Sequence, residues 1–189
     1  MGAIIEAVLA GHNGTRAREA GVLRRLAHPG ILRRDLCGRR NVPVKLKMNI
    51  FFDVDYTLVG GMDGSLRPGV REVFQRLKKD GHHIYVWSGV GPRWHEVRRH
   101  QLESLVIDCF TKPITDYYQQ MKAMNLPVEP DLVVDDFPQV AQALGGISVA
   151  PYTFENANDR EMERVYQTIS SYAQNGHSDD HRFAPKLQK

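Results

Sequence analysis

Two aspartates separated by one residue, Asp53 and Asp55, follow the apolar stretch 49–52 (NIFF), and Thr57 stands two positions further on. Later in the chain, Ser88 and Gly89 close a second apolar stretch (HIYVW), Lys112 precedes Pro113 after a third, and Asp135-Asp136 follow LVV in a fourth. Carboxylates gathered from separate segments repel one another unless a proton or a cation stands between them. An all-oxygen donor set with room for water suits Mg²⁺, which takes one or two carboxylates together with substrate phosphate. One carboxylate can attack phosphorus and carry the phosphoryl group covalently. A second, two residues on, can give a proton to the leaving group and take one from water. A hydroxyl such as Ser88 and an ammonium such as Lys112 would hold and neutralise the phosphoryl oxygens. Arg93 and Trp94, in SGVGPRW just beyond Ser88, either line an entrance and contact substrate or serve as a solvated arginine and a packing tryptophan.

These groups meet only if the elements carrying them are aligned. Short apolar stretches over 49–52, 83–87, 105–110, 132–134 and 147–150 read as strands. Between them lie helical patterns. The first is opened by Pro68, carries Val70, Val73, Phe74 and Leu77 at helical spacing, and is ended by Gly81. Others cover 92–102, 116–124, 138–144 and 157–172. Strands alternating with helices predict an α/β domain: a parallel sheet with right-handed crossovers and helices on both faces, a three-layer Rossmann-like arrangement. Ligands of such sheets sit beyond the carboxyl ends of the strands, where Asp53, Asp55, Ser88, Lys112, Asp135 and Asp136 all fall. Four consecutive strands therefore deliver polar or charged groups to one edge.

The net charge of +3 conceals an asymmetry. Residues 1–48 hold ten Lys/Arg against three acids, or +7; the remainder holds 15 against 19, or −4. The expected organisation is a basic, poorly structured extension over 1–47, a catalytic domain over 48–173 and a polar, disordered tail over 174–189. A methionine, Met48, stands one residue before the first strand, so a catalytic domain starting there is one expectation. The basic arm leaves contact with nucleic acid open, and its Arg-rich, acid-poor text leaves organellar targeting open. No apolar run approaches the roughly 20 residues of a membrane helix. Cys37 and Cys109 lack metal-like spacing and suggest no disulfide framework, so a reducing cytoplasm is the default compartment.

Taken together and in order, DVDYT at 53–57, the apolar strand ending in Ser88, Lys112 before Pro113, and VVDD at 133–136 resemble the four motifs of the haloacid dehalogenase superfamily, over roughly residues 48–152. The resemblance implies a hydrolase of that fold, a phosphatase using Mg²⁺. Asp53 would be the nucleophile and a metal ligand. Asp55 would be the general acid/base, its backbone carbonyl also meeting the metal. Ser88 would hydrogen-bond the transferred phosphoryl group, and Lys112 would stabilise it and the nucleophile. Asp136 resembles the metal ligand of the fourth motif, with Asp135 behind it or acting through water. Thr57, Ser88, Gly89, Arg93 and Lys112 form the surface expected to meet substrate. The acid at Asp55 favours ester hydrolysis over the dehalogenase and P-type ATPase branches of the superfamily. Tyr56 stands where many relatives have glycine. The two points where relatives insert cap domains are short here, which implies a capless, open site. Such relatives act on large phosphorylated substrates or borrow a lid from another subunit, so small and macromolecular phosphate esters and a homo-oligomer all stay open. A non-catalytic phosphate- or partner-binding protein of the same fold is an alternative. A receiver-like phosphoacceptor is another, although the acid pair follows the lysine here, the reverse of a receiver.

Overall fold

The computed structural model describes residues 46–186. The basic arm up to residue 45, with any targeting or nucleic-acid role, lies outside the described residues. Six strands form one sheet: β1 (Asn49–Asp53), β2 (His83–Ser88), β3 (Asp108–Thr111), β4 (Leu132–Asp135), β5 (Gly146–Ser148) and β6 (Phe183–Ala184). The helices between them are α1 (Val70–Lys79), α2 (Trp94–Arg99), α3 (Tyr117–Ala123), α4 (Pro138–Leu144) and α5 (Glu161–Asn175). The order across the sheet is β3-β2-β1-β4-β5-β6, with the first five strands parallel and β6 antiparallel to β5.

The continuous apolar text of β1 reflects burial on two faces. Ile50 and Phe52 enter one core with Ile84, Val86, Leu132 and Val134, against Val73, Phe74 and Leu77 of α1 and Val165 and Ile169 of α5. Phe51 enters the other with Tyr85, Trp87 and Val133, against Met121 of α3 and Val140 and Leu144 of α4. The Phe51 ring lies 4.9 Å from Tyr85 and 5.2 Å from Trp87, centroid to centroid. Alternate residues of each central strand thus hold helices to opposite faces, which makes the architecture α/β in three layers.

Boundaries differ from the sequence expectation where loops close on themselves. The third strand begins at Asp108 because Leu105 and Val106 donate their N–H groups back to the Leu102 carbonyl in a turn that follows α2. The expected disordered tail is corrected in its middle. The helix α5 runs to Asn175, and the chain returns as β6 along β5, pairing Phe183 with Ile147 and Ala184 with Gly146. Two specific contacts outweigh the polar composition there. Asp180 accepts from the Thr168 hydroxyl at 2.5 Å and pairs with Arg164, and the Phe183 ring packs 4.9 Å from Tyr172. At the other end, Met48 is buried and donates to His82 Nδ1 at 3.3 Å, while the Leu46 N–H bonds the Ala173 carbonyl, so the folded region reaches past the expected start. No described helix is long and apolar enough to cross a membrane.

Candidate active site

From β1 the chain steps outward to β2 and β3, then returns to the other side of β1 for β4. That reversal leaves a crevice beyond the carboxyl ends of β1 and β4, the place where open α/β sheets bind ligands. Asp53 ends β1 and Asp135 ends β4 at this crevice, and Asp136 follows directly. Lys112 follows β3 at once, its backbone N–H held by the Ser88 carbonyl at 2.9 Å. Its ammonium reaches across to Asp53 Oδ1 at 2.6 Å and Asp135 Oδ2 at 2.8 Å. The other oxygen of Asp135 accepts the Phe137 N–H at 3.0 Å. Oxygens of Asp53, Asp135 and Asp136 all lie within 4.8 Å of one another.

Three carboxylates therefore gather around one ammonium that pairs with two of them, and burial raises all three. Burial, and then the charge of Asp135, push Asp53 up to about 7, with Lys112 pulling the other way. Asp135 is raised by burial against the opposing pull of Lys112. Asp136 is raised by burial and by Asp135. Burial disfavours the Lys112 ammonium, yet Asp53 and Asp135 outweigh it and hold the group above its ordinary value. An all-oxygen cluster of this kind could hold a metal ion. A cavity of about 310 Å³ at the opposite edge of the sheet, lined by Lys47, Lys78, His82 and His83 among others, has no carboxylate and offers no such fit.

The remaining expected residues fall into two groups. Thr57 is fully buried, and its hydroxyl accepts the Asp136 N–H at 3.0 Å and donates to Asp136 Oδ1 at 3.3 Å. It therefore fixes Asp136 to the loop after β1. Asp55 is not one of the three clustered carboxylates: its Oδ2 receives Arg93 Nη1 at 2.7 Å and the Ser88 hydroxyl at 3.4 Å. Gly89 is exposed, and a Cβ there would come within 2.9 Å of Ile114.

The loop carrying Asp55 and Thr57 is tightly wound. The N–H groups of Thr57, Leu58 and Val59 converge on the Val54 carbonyl, and Tyr56 adopts φ of +60°, the left-handed conformation that glycine takes without strain. Its ring lies so close to Gly61 that a Cβ at 61 would fall 2.2 Å from Tyr56 Cε1. Between β1 and α1 the chain makes only this loop and a bridged turn, Val59 to Leu66, and only Thr111 separates Phe110 from Lys112, so no inserted domain covers the site at either point.

Sequence reasoning missed Arg67. Its side chain is 1% exposed, donating Nη1 to the Thr57 carbonyl at 3.0 Å, Nη2 to the Ala150 carbonyl at 2.6 Å, and Nε and Nη2 to Asp159, each at 3.0 Å. It fastens the Asp55–Thr57 loop to the segment after β5. Nothing near Arg67 signals this, because Ala150 and Asp159 lie 83 and 92 positions away. The link between Arg93 and Glu96 was likewise unmarked, although spacing by three on a helix start allows it. No protein-family model matches the chain, and no curated protein sequence matches it.

Proposed function

We propose that the protein hydrolyses phosphate monoesters through a phosphorylated Asp53, with Mg²⁺ held by the carboxylates of the crevice. The observation that carries this reading is the ammonium of Lys112 shared between Asp53 and Asp135, with Asp136 beside them and too little positive charge for the three. It joins the four-motif resemblance to haloacid dehalogenase-type phosphatases. Asp53 and Asp136 would hold the metal, with the backbone carbonyl of Asp55. Both oxygens of Asp135 already have partners, which favours a supporting part for it. When bound, Mg²⁺ offsets the clustered negative charge and draws charge from the phosphoryl oxygens.

In the first step an Asp53 oxygen bonds to phosphorus while the bond from phosphorus to the ester oxygen breaks. Asp55 gives its proton to that departing oxygen. In the second step Asp55 takes a proton from water, the water oxygen bonds to phosphorus, and the Asp53–phosphorus bond breaks to release inorganic phosphate. The Ser88 hydroxyl and the Lys112 ammonium donate to the phosphoryl oxygens throughout. Exposed Val90, Ile114 and Phe137 stand on the loops after β2, β3 and β4, an apolar surface for the organic part of a substrate, small or macromolecular.

Asp53→Asn tests the reading: Mg²⁺-dependent release of phosphate from p-nitrophenyl phosphate should fall at least about 10⁴-fold, with an unchanged circular dichroism spectrum. Full activity in that variant would overturn the assignment. Binding without turnover is the second reading, favoured by the Arg93 contact that occupies Asp55. A receiver-like role loses support from the strand order, since receiver sheets run 2-1-3-4-5 and this one runs 3-2-1-4-5.

A further inference from the structure

Arg93 holds the oxygen that the phosphatase chemistry needs free. Its Nη1 lies 2.7 Å from Asp55 Oδ2, the same atom that the Ser88 hydroxyl reaches at 3.4 Å. Behind it, Arg93 Nη2 stands a long 3.5 Å from Glu96 Oε1. Arg93 Nε and Glu96 Oε2 are both buried with no hydrogen-bond partner among the described residues. A buried donor and a buried acceptor left without hydrogen bonds on neighbouring side chains is a costly arrangement. Glu96 has a second cation in Arg99, whose Nη1 lies 3.7 Å from it, and the His95 and His100 rings stand at 3.2 and 3.6 Å. The segment leading to Arg93 has space to shift: Val90 is exposed, and Gly91, at φ of +107°, has nothing within 4 Å of where a Cβ would be.

Resting on the phosphatase reading, we propose that Arg93 is the residue that captures the incoming phosphoryl group, leaving Asp55 and settling between the phosphoryl oxygens and Glu96. Lys112 is already shared by two carboxylates, and a bound Mg²⁺ would offset the carboxylates as well as the phosphoryl oxygens, so a phosphate dianion gains from a further cation. A guanidinium fork suits two phosphoryl oxygens better than a point charge does. The exchange frees Asp55 only when a phosphoryl group is present, so Arg93 selects for the dianion and Glu96 acts as the positioning residue that receives the guanidinium.

Calorimetric titration of inorganic phosphate into the Mg²⁺-loaded protein tests this in a cycle of wild type, Arg93→Ala, Asp55→Asn and the double variant. Arg93→Ala should weaken phosphate binding about tenfold to a hundredfold, and by several-fold more where Asp55 is replaced, because the guanidinium then has no ion pair to give up. Asp55→Asn alone should tighten binding several-fold. Arg93→Lys should recover only part of the loss; it also serves should Arg93→Ala fail to fold, as judged by its melting curve. Unchanged affinity in Arg93→Ala, or a loss that vanishes in the Asp55→Asn background, overturns the proposal. A wild-type protein that neither binds phosphate nor hydrolyses p-nitrophenyl phosphate overturns the phosphatase reading itself, a result distinct from either.

Discussion

Around Arg164, two carboxylates are matched by two guanidinium groups; around Lys112, three carboxylates gather near one ammonium that pairs with two of them. In the first cluster Glu161 Oε2 lies 2.7 Å from Arg164 and 3.1 Å from Arg182, and Asp180 pairs with Arg164. Burial would push Glu161 up, but Arg164 and the Ala150 N–H hold it below its ordinary value. Asp180 is likewise held down, with burial outweighed by the Thr168 hydroxyl, the Arg182 N–H and Arg164. In the second cluster burial wins, and Asp53, Asp135 and Asp136 all rise. Both clusters are partly buried and rich in ion pairs. The balance of charge separates them: the matched one ties α5 to the β6 segment, and the unmatched one carries negative charge that a cation or a proton would offset.

The sharpest way to break this contrast is at its single cation. Lys112→Ala should lower kcat for p-nitrophenyl phosphate about 10³-fold, and loss of only a few-fold would show that the ammonium is structural. Arg164→Met is the matching change in the other cluster, leaving Glu161 and Asp180 short of a partner. It should cost about 2 kcal/mol in urea unfolding and leave kcat and KM unchanged; a fall in kcat would mean that the two clusters are coupled.

The smallest effect separates them by pH. Asp53 in the fold, at about 7, lies above the usual carboxylate range, so its contribution to stability is full below about pH 4 and is lost as pH rises through 7. Glu161 and Asp180 are shifted down, so their contribution is present above about pH 4 and is lost only as pH falls below it. In a chelator, the melting temperature should therefore fall by roughly 5 °C between pH 5 and 8, and Mg²⁺ should recover more of it at pH 8 than at pH 5. A chelated protein equally stable across that range would remove the deficit from the Lys112 cluster.

The parts of this site that could be read in the text are those set by local burial. A strand covered on both faces must be apolar throughout, so the change from Phe52 to Asp53, and from Val134 to Asp135, marks where each strand leaves the core. Lys112 and Ser88 were legible for the same reason. What stayed hidden depends on residues that only the folded topology brings together. Arg93 meets Asp55 across 38 positions and Arg67 meets Asp159 across 92, and neither arginine differs in its neighbours from a solvated one. The tail misled because polar composition is a statement about average hydrophobicity, whereas Asp180 and Phe183 act through single contacts. The strand boundary before Asp108 was displaced for a related reason: Leu105 and Val106 are apolar enough for a strand, but their backbone is used to close a turn.

The short β6 has a consequence for self-association. The parallel strands end at β5, whose outer edge is paired at Gly146 and Ile147 by Ala184 and Phe183. An uncovered strand edge is a template onto which another chain can add. A short segment, Arg182 to Ala184, thus stands between β5 and an open row of amide and carbonyl groups, held there by the Asp180 ion pair and the tilted packing of Phe183 against Tyr172. A protease cut after Gly176 would spare every residue of the crevice and still turn a protected sheet into one with an adhesive edge.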